Sequence, residues 1–210
     1  MLLRAMVRSA LILAAFAAAG VLLVALTEAG TRERVAEVER QTLLRNLHAV
    51  VSPEAHDNDP TTDTIEVRAP AQLGTESPVT VYRARRAGQP VALILTPVAP
   101  DGYAGRIQLM VAVNYDGSVA GVRVLSHQET PGLGDLIEQR RSDWITRFNG
   151  RSLTSPKPEQ WKVKRDGGAF DQFTGATVTP RAVVKAVRNT LEFVQAHRDE
   201  LFAEQPVASR

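Results

Sequence analysis

The feature that most constrains this chain is an uncharged run of nineteen residues near its N-terminus, Ser9 to Thr27. As an α-helix this run would be about 28 Å long, which is close to the hydrocarbon thickness of a bilayer. Arg4 and Arg8 precede it, and Glu28 follows it. Length and composition therefore predict a transmembrane helix rather than a buried helix of a soluble protein.

A cleaved signal peptide is the alternative interpretation, because Ala17–Ala19 resembles a small-residue cleavage site. However, the apolar run continues through Val21–Leu26, which makes it longer than the usual hydrophobic region of a signal peptide. We therefore favour an uncleaved single-pass anchor. Because Arg4 and Arg8 precede the span, the positive-inside rule predicts a cytoplasmic N-terminus. The rest of the chain then lies outside, on the periplasmic side of a bacterial inner membrane.

Composition excludes several classes of site. The chain has no cysteine, which removes disulfides, thiolate zinc sites and cysteine-ligated iron–sulfur clusters. Its four histidines are far apart, without the helical spacing of a metal site, so no metal is predicted. The formal net charge is +2 with the arginines dispersed, which gives no reason to expect nucleic acid. Any redox chemistry must come from another cofactor.

The part beyond the anchor shows strand and helix patterns of one compact domain. Strand patterns lie at 64–67, 79–84, 91–96, 107–113 and 119–125, and the last four predict an antiparallel meander. Helical patterns lie at 33–51, 135–139, 142–148 and from the predicted N-cap Thr179 through Val194. The predicted class is α+β, with helices packed on an antiparallel sheet.

The sequence predicts five segments. They are a cytoplasmic N-terminus (1–8), a transmembrane helix (9–27), a membrane-proximal helix and loop region (28–78), the main domain (79–198) and a C-terminal tail (199–210).

Two loops place glycines beside threonine hydroxyls, Glu129–Gly134 and Asp171–Thr177. Glycine lets the backbone approach a flat or anionic ligand, and threonine offers a donor, an acceptor or an ester oxygen. Plain turns before helices are the alternative interpretation of both loops. Thr177 favours a ligand, because it lies two residues before the predicted N-cap Thr179, where free amides and the helix dipole attract phosphate.

These loops belong to a longer set of motifs, which comprises residues 102–107, Asp116-Gly117, 127–134, Trp144 with Phe148, 166–168 and 171–179. With this set the chain resembles the G subunit of Rnf-type (Rsx-type) electron-transport complexes, within the wider FMN-binding domain family. The pair Trp144 and Phe148 is four residues apart and suits either flavin stacking or core packing, of which we favour core packing.

The resemblance implies a covalent flavin. In this family the pattern Asp-x-x-Ser/Thr-Gly-Ala-Thr is the signal at which a flavin transferase joins FMN, through its phosphate, to the final threonine. That threonine is Thr177 here, and one FMN per chain is implied. Asp171 is then a residue for recognition by the transferase. Glu129 either orients the loop or the flavin, or is an ordinary turn residue.

The resemblance also implies the flavin contacts. Those against the flavin are Thr130, Gly132, Leu133 and Gly134. Gly175 and Ala176 shape the attachment turn, and Thr174 is a cofactor-site residue with a role in recognition. No side chain is predicted to act as a catalytic acid or base.

The function implied is that of an electron-transfer subunit of an ion-translocating oxidoreductase, which is not catalytic alone. Its implied partners are the other membrane subunits of such a complex, the flavin transferase and membrane lipid. Two alternatives remain. The C subunit of the sodium-translocating NADH:quinone reductase shares both motifs, and a membrane-tethered ligand-binding or scaffold module would need no redox activity.

Overall fold

A computed structural model describes residues 2–203. Met1, from the predicted N-terminus (1–8), and residues 204–210, from the predicted tail (199–210), lie outside the described residues. The chain divides into two units, one up to Leu43 and one from Leu44 onward.

The first unit is almost all of helix α1, which runs from Leu2 to Val50 as one uninterrupted helix of 49 residues. The two helical stretches that the sequence predicted here, 9–27 and 33–51, both lie in this helix, apart from the last residue, and no break separates them. No proline lies between them, and side chains stabilise the junction, where Arg32 pairs with Glu28 at 2.9 Å. The helix is long and apolar enough to cross a membrane, and none of its most apolar stretch is buried by other parts of the chain.

The second unit contains a six-stranded antiparallel sheet. Its strands are β1 (Thr64–Val67), β2 (Val79–Arg86), β3 (Gln89–Leu95), β4 (Val98–Gly102), β5 (Gly105–Asn114) and β6 (Val119–Ser126). Strand β1 pairs with β2, and β2 with β3. The long strand β5 pairs with β3 and β4 along one edge and with β6 along the other.

The described helices of this unit are α2 (Pro70–Leu73), α3 (Val178–Ala196), α4 (Arg198–Phe202) and the last turns of α1. Short 3₁₀ turns lie at Pro53–Ala55, Gly134–Ile137, Trp144–Phe148, Pro158–Gln160 and Lys164–Asp166. The predicted helices at 135–139 and 142–148 are thus short 3₁₀ turns, because their amides bond to carbonyls three residues back, as Glu138 does to Asp135 and Asn149 to Thr146. The predicted α+β class, with an apolar N-terminal helix, is confirmed.

Alternation along the strands explains where the core lies. Ile107, Leu109, Val111 and Val113 of β5 are fully buried in the same cluster as the apolar stripe of α3, which includes Val187. The opposite sheet face is covered as well, since Met110 and Ala112 are buried. On that side the end of α1 passes closely over β6. A Cβ atom at Gly121 would lie 2.8 Å from the carbonyl oxygen of Val50.

Strand β4 was not predicted. Pro100 interrupts its alternation, and the register shifts between Ala99 and Gly102. A proline is tolerated here because β4 pairs only with β5, so that its other edge needs no amide donor.

The predicted segment boundaries at 78/79 and 198/199 remain predictions. The sheet and core nevertheless extend across both, since β1 pairs with β2 and Leu73 is fully buried. Phe202 is buried too, and Arg83 donates a hydrogen bond of 2.6 Å to the carbonyl of Ala203.

Candidate functional site

The two predicted loops lie side by side. A Cβ atom at Gly175 would lie 3.8 Å from the Cδ2 atom of Leu133. A few residues away, the Thr179 hydroxyl donates a 2.6 Å hydrogen bond to the Oε2 atom of Glu129. We call residues 130–134 together with 174–178 the two-loop surface. Most of it is exposed, including Thr130, Leu133 and Thr174.

The first loop is held by its own backbone. The carbonyl of Thr130 accepts hydrogen bonds from the amides of Leu133 and Gly134 at 3.2 and 3.1 Å. Gly132 adopts a φ of +77°, which a residue with a side chain rarely adopts. Gly134 is required for a different reason, because a Cβ atom there would lie 2.7 Å from the Oε2 atom of Glu129.

The second loop is anchored by Trp144. Its indole N–H donates a 2.8 Å hydrogen bond to the carbonyl of Asp171, and its ring packs edge-on against Phe173 at 5.3 Å between centroids. The chain then turns, with the amide of Ala176 bonded to the carbonyl of Phe173 at 3.2 Å and Gly175 at a φ of +80°. Trp144 is 5% exposed, so the core-packing interpretation of this residue is correct.

Thr177 lies where this turn enters α3. The sequence predicted Thr179 as the N-cap, but the helix begins at Val178 and Thr177 occupies the cap position. The prediction was wrong because the Thr179 hydroxyl bonds to Glu129, a tertiary contact, instead of to a helix amide. Thr177 makes no side-chain capping bond, and its side chain is half-buried. Within residues 2–203, the amides of Val178 and Thr179 have no hydrogen-bond acceptor.

Glu129 contributes more to the site than the sequence indicated. It is 5% exposed, and its Oε1 atom accepts a 3.1 Å hydrogen bond from the amide of Ala104 in the β4–β5 turn. Its own amide donates to the Nδ1 atom of His127 at 3.0 Å. The only sequence signal was a carboxylate directly before Thr130-Pro131, which fits a plain turn equally well.

A charged network lies behind the first loop. The Nε2 atom of His127 is 2.7 Å from the Oε1 atom of Glu138, and Arg140 pairs with the same carboxylate. Hydrogen bonds from Arg140 and then from His127 lower the pKa of Glu138 to about 2. Glu138 is therefore ionised at neutral pH and holds His127 against the loop.

Ion pairs connect the segment before the second loop to that loop and to α3. Lys164 pairs with Asp171 at 2.5 Å, and Arg181 of α3 pairs with Asp166 at 2.5 Å. The Arg181 hydrogen bond lowers the pKa of Asp166. Lys164 also begins a 3₁₀ turn that ends at Asp166.

The arrangement suits a flat ligand with a phosphate group. The two-loop surface exposes the apolar side chains of Leu133 and Val178, which are 43% and 42% exposed, and Leu133 lies against Gly175, which carries no side chain. A cavity of about 310 Å³ elsewhere, lined by residues such as Thr75 and Arg106, contains none of the predicted site residues. Among the described residues no cluster of three or more metal-ligating side chains occurs.

Comparison with known proteins gives family matches for the N-terminal helix and for the domain. The family model of the FMN-binding domain matches residues 102–192, and that of the RnfG N-terminal region matches residues 1–50. The chain is also similar to proteins named as the G subunit of the ion-translocating oxidoreductase complex. It is 48% identical to the one from Shewanella amazonensis, over 95% of this chain and 93% of the relative. It is likewise 48% identical to the one from Pseudomonas aeruginosa, over 98% of this chain and 96% of the relative.

Proposed function

The chain belongs to the family of G subunits of ion-translocating oxidoreductase complexes, and from this premise we propose that it is an electron-transfer subunit that carries one FMN. The flavin is attached through its phosphate to the hydroxyl of Thr177. FMN supplies reversible electron transfer, which none of the twenty side chains provides alone. The protein's residues attach the group, hold it and leave one side open to partners.

The observation that carries this proposal is the free hydroxyl of Thr177 at the start of α3. It makes no capping bond, and it is next to amides that have no acceptor among the described residues. Both features suit a phosphoester, because the amides and the helix dipole stabilise its negative charge. Thr174 and Gly175 are exposed and Ala176 is half-buried, so this turn would let a flavin transferase reach the hydroxyl.

The ring is proposed to lie on the two-loop surface. Thr130, Gly132, Leu133 and Gly134 supply backbone and one apolar side chain to it. Covalent attachment serves a chain that operates outside the cytoplasm, because a dissociating flavin would be lost by dilution.

Thr177→Ala tests the attachment, with Thr174→Ser as the matched control in the same turn, because the transferase pattern accepts serine at that position. Coexpressed with a flavin transferase, the wild-type chain and the control should each gain the mass of one FMN less one water. Both should also fluoresce in a denaturing gel. The Thr177 variant should fold and do neither. If peptide mapping finds the flavin on Thr174 or Thr179, the attachment residue is not Thr177. If the wild-type chain never acquires flavin, the scaffold function is favoured instead.

The orientation is proposed to be N-terminus inside, domain outside, as the positions of Arg4 and Arg8 suggest. A reporter enzyme fused after Arg210 tests it. A periplasmic reporter should be active there and a cytoplasmic one inactive. The reverse pattern would place the domain, its membrane partners and the transferase reaction on the cytoplasmic side.

A further inference from the structure

Glu129 connects three segments of the proposed flavin site. Its Oε1 atom accepts the amide of Ala104 at 3.1 Å, and its Oε2 atom accepts the hydroxyl of Thr179 at 2.6 Å. These partners belong to the β4–β5 turn and to the first turn of α3, while Glu129 itself begins the first loop. One side chain thus sets the relative positions of all three.

The space around this carboxylate is kept free by glycines. A Cβ atom at Gly102 would lie 2.8 Å from Oε1, and one at Gly134 would lie 2.7 Å from Oε2. Both distances are below any normal contact of a Cβ atom. The carboxylate can therefore occupy this position only because both neighbours lack a side chain.

Glu129 also has no cationic partner. Across residues 2–203, no lysine, arginine or histidine side chain forms an ion pair with it. Two neighbouring carboxylates do have cationic partners, since Asp135 pairs with Arg141 and Glu138 with Arg140. Both groups that contact the Glu129 oxygens are donors, as an ionised carboxylate requires. The start of α3 favours a negative charge at this position.

We infer that Glu129 is a positioning residue that joins the three segments and whose buried charge lowers the reduction potential of the flavin. The inference rests on the proposed function. Reduction adds negative charge to a flavin, and a buried anion without a counterion opposes that gain because the surrounding dielectric constant is low.

Two variants separate the two parts of this role. Glu129→Gln retains an oxygen that can accept the Ala104 amide and an amide that can donate to the Thr179 hydroxyl, but it removes the charge. Glu129→Ala removes both bonds and the charge. Glu66→Gln is the matched control, because it removes one charge from an exposed residue of β1, at the opposite edge of the sheet.

The potential is measured by redox titration of the flavin-loaded, detergent-solubilised chain. Glu129→Gln should shift it to more positive values, and Glu66→Gln should leave it unchanged. Equal potentials in these two variants would overturn the electrostatic part. If the wild-type chain carries no flavin by mass, the proposed function fails together with this part.

The positioning part is tested without flavin, by hydrogen exchange of the Thr177→Ala chain with and without Glu129→Ala. Loss of the acceptor should make the amide of Ala104 exchange about tenfold faster, with a smaller effect in the first turn of α3. Glu129→Gln should restore most of the protection. Unchanged exchange at Ala104 in the alanine variant would overturn the positioning role, whatever the flavin result.

Discussion

Apolar side chains have opposite surroundings in the two units of this chain. In α1, Phe16 and Val21 are 76% and 71% exposed, whereas in the sheet Leu93 and Val111 are fully buried. The domain buries its apolar surface by folding on itself, as the α+β layer arrangement requires. The first unit does not, and its helix is long and apolar enough to cross a membrane. Most apolar residues of the domain are thus buried in its core, whereas those in the apolar run of α1 are exposed. The variants described next test this difference.

The largest expected effect is loss of membrane insertion on charging the apolar run of α1. Val21→Arg with Val24→Arg should cost about 5–7 kcal/mol of insertion free energy, since each central arginine costs about 2.5–3.5 kcal/mol. Val35→Arg with Val38→Arg is the matched control, because these valines are also exposed, at 52% and 60%, but lie among charged residues. Carbonate extraction of membranes should release only the first variant. Retention of both would show that the run does not anchor the chain.

The next largest effect should be a loss of folding stability, and it should occur only for substitutions in the domain. Phe148 is fully buried, stacks on Phe170 at 4.7 Å between centroids and meets Trp144 edge-on. Phe148→Ala should destabilise the domain by about 3–5 kcal/mol through the cavity it leaves. Phe16→Ala should change the unfolding free energy by less than about 0.5 kcal/mol. Denaturant titration in detergent measures both, and equal effects would contradict the division into two units.

A smaller effect distinguishes the two glycines of the first loop. Gly134→Val should cost about 1–3 kcal/mol by forcing Glu129 aside, and it should shift the flavin absorbance and potential while the covalent flavin remains. Gly132 has open space but a positive φ, so Gly132→Asn should be tolerated where Gly132→Val is not. Spectra and thermal melts compare the three. An unchanged flavin in the folded Gly134 variant would favour the plain-turn interpretation.

The smallest effect concerns pH. The folded-state pKa of Glu138, about 2, is below its usual 4.5, so its contribution to stability is present above about pH 4.5 and is lost as the pH falls toward 2. Because Arg140 is exposed, solvent screens the pair and the contribution to stability is small. Glu138→Gln should therefore lower the melting temperature at pH 7 and converge with wild type near pH 2. A constant difference across this range would show a packing effect instead.

Local pattern was sufficient where neighbouring residues decide the structure. The alternation in β5 and β6 and the Asp116-Gly117 turn depend on strand period and turn chemistry, and both occur as predicted, with Gly117 at a φ of +86°. The apolar stripe of α3 was predictable for the same reason. The site residues came from a family motif, and their roles remain predictions.

Local sequence pattern gave a wrong prediction, or none, where a contact between residues far apart in sequence determines the structure. The start of α3 was misplaced by two residues, because Thr179 contacts Glu129, fifty positions away in sequence. Strand β4 exists only because β5 offers it an edge, and the buried role of Glu129 depends on Ala104 and Thr179 together.

The sequence by itself determined which stretches are apolar, where β5, β6 and the apolar stripe of α3 lie, and which threonine matches the flavin motif, because these follow from residue type and spacing. Only the tertiary structure decided that the two glycine loops share one surface and that Thr177 occupies the N-cap position of α3 without a side-chain capping bond. It also decided that a buried carboxylate joins three segments. Such contacts arise when the sheet closes and depend on the whole core, so no local pattern encodes them.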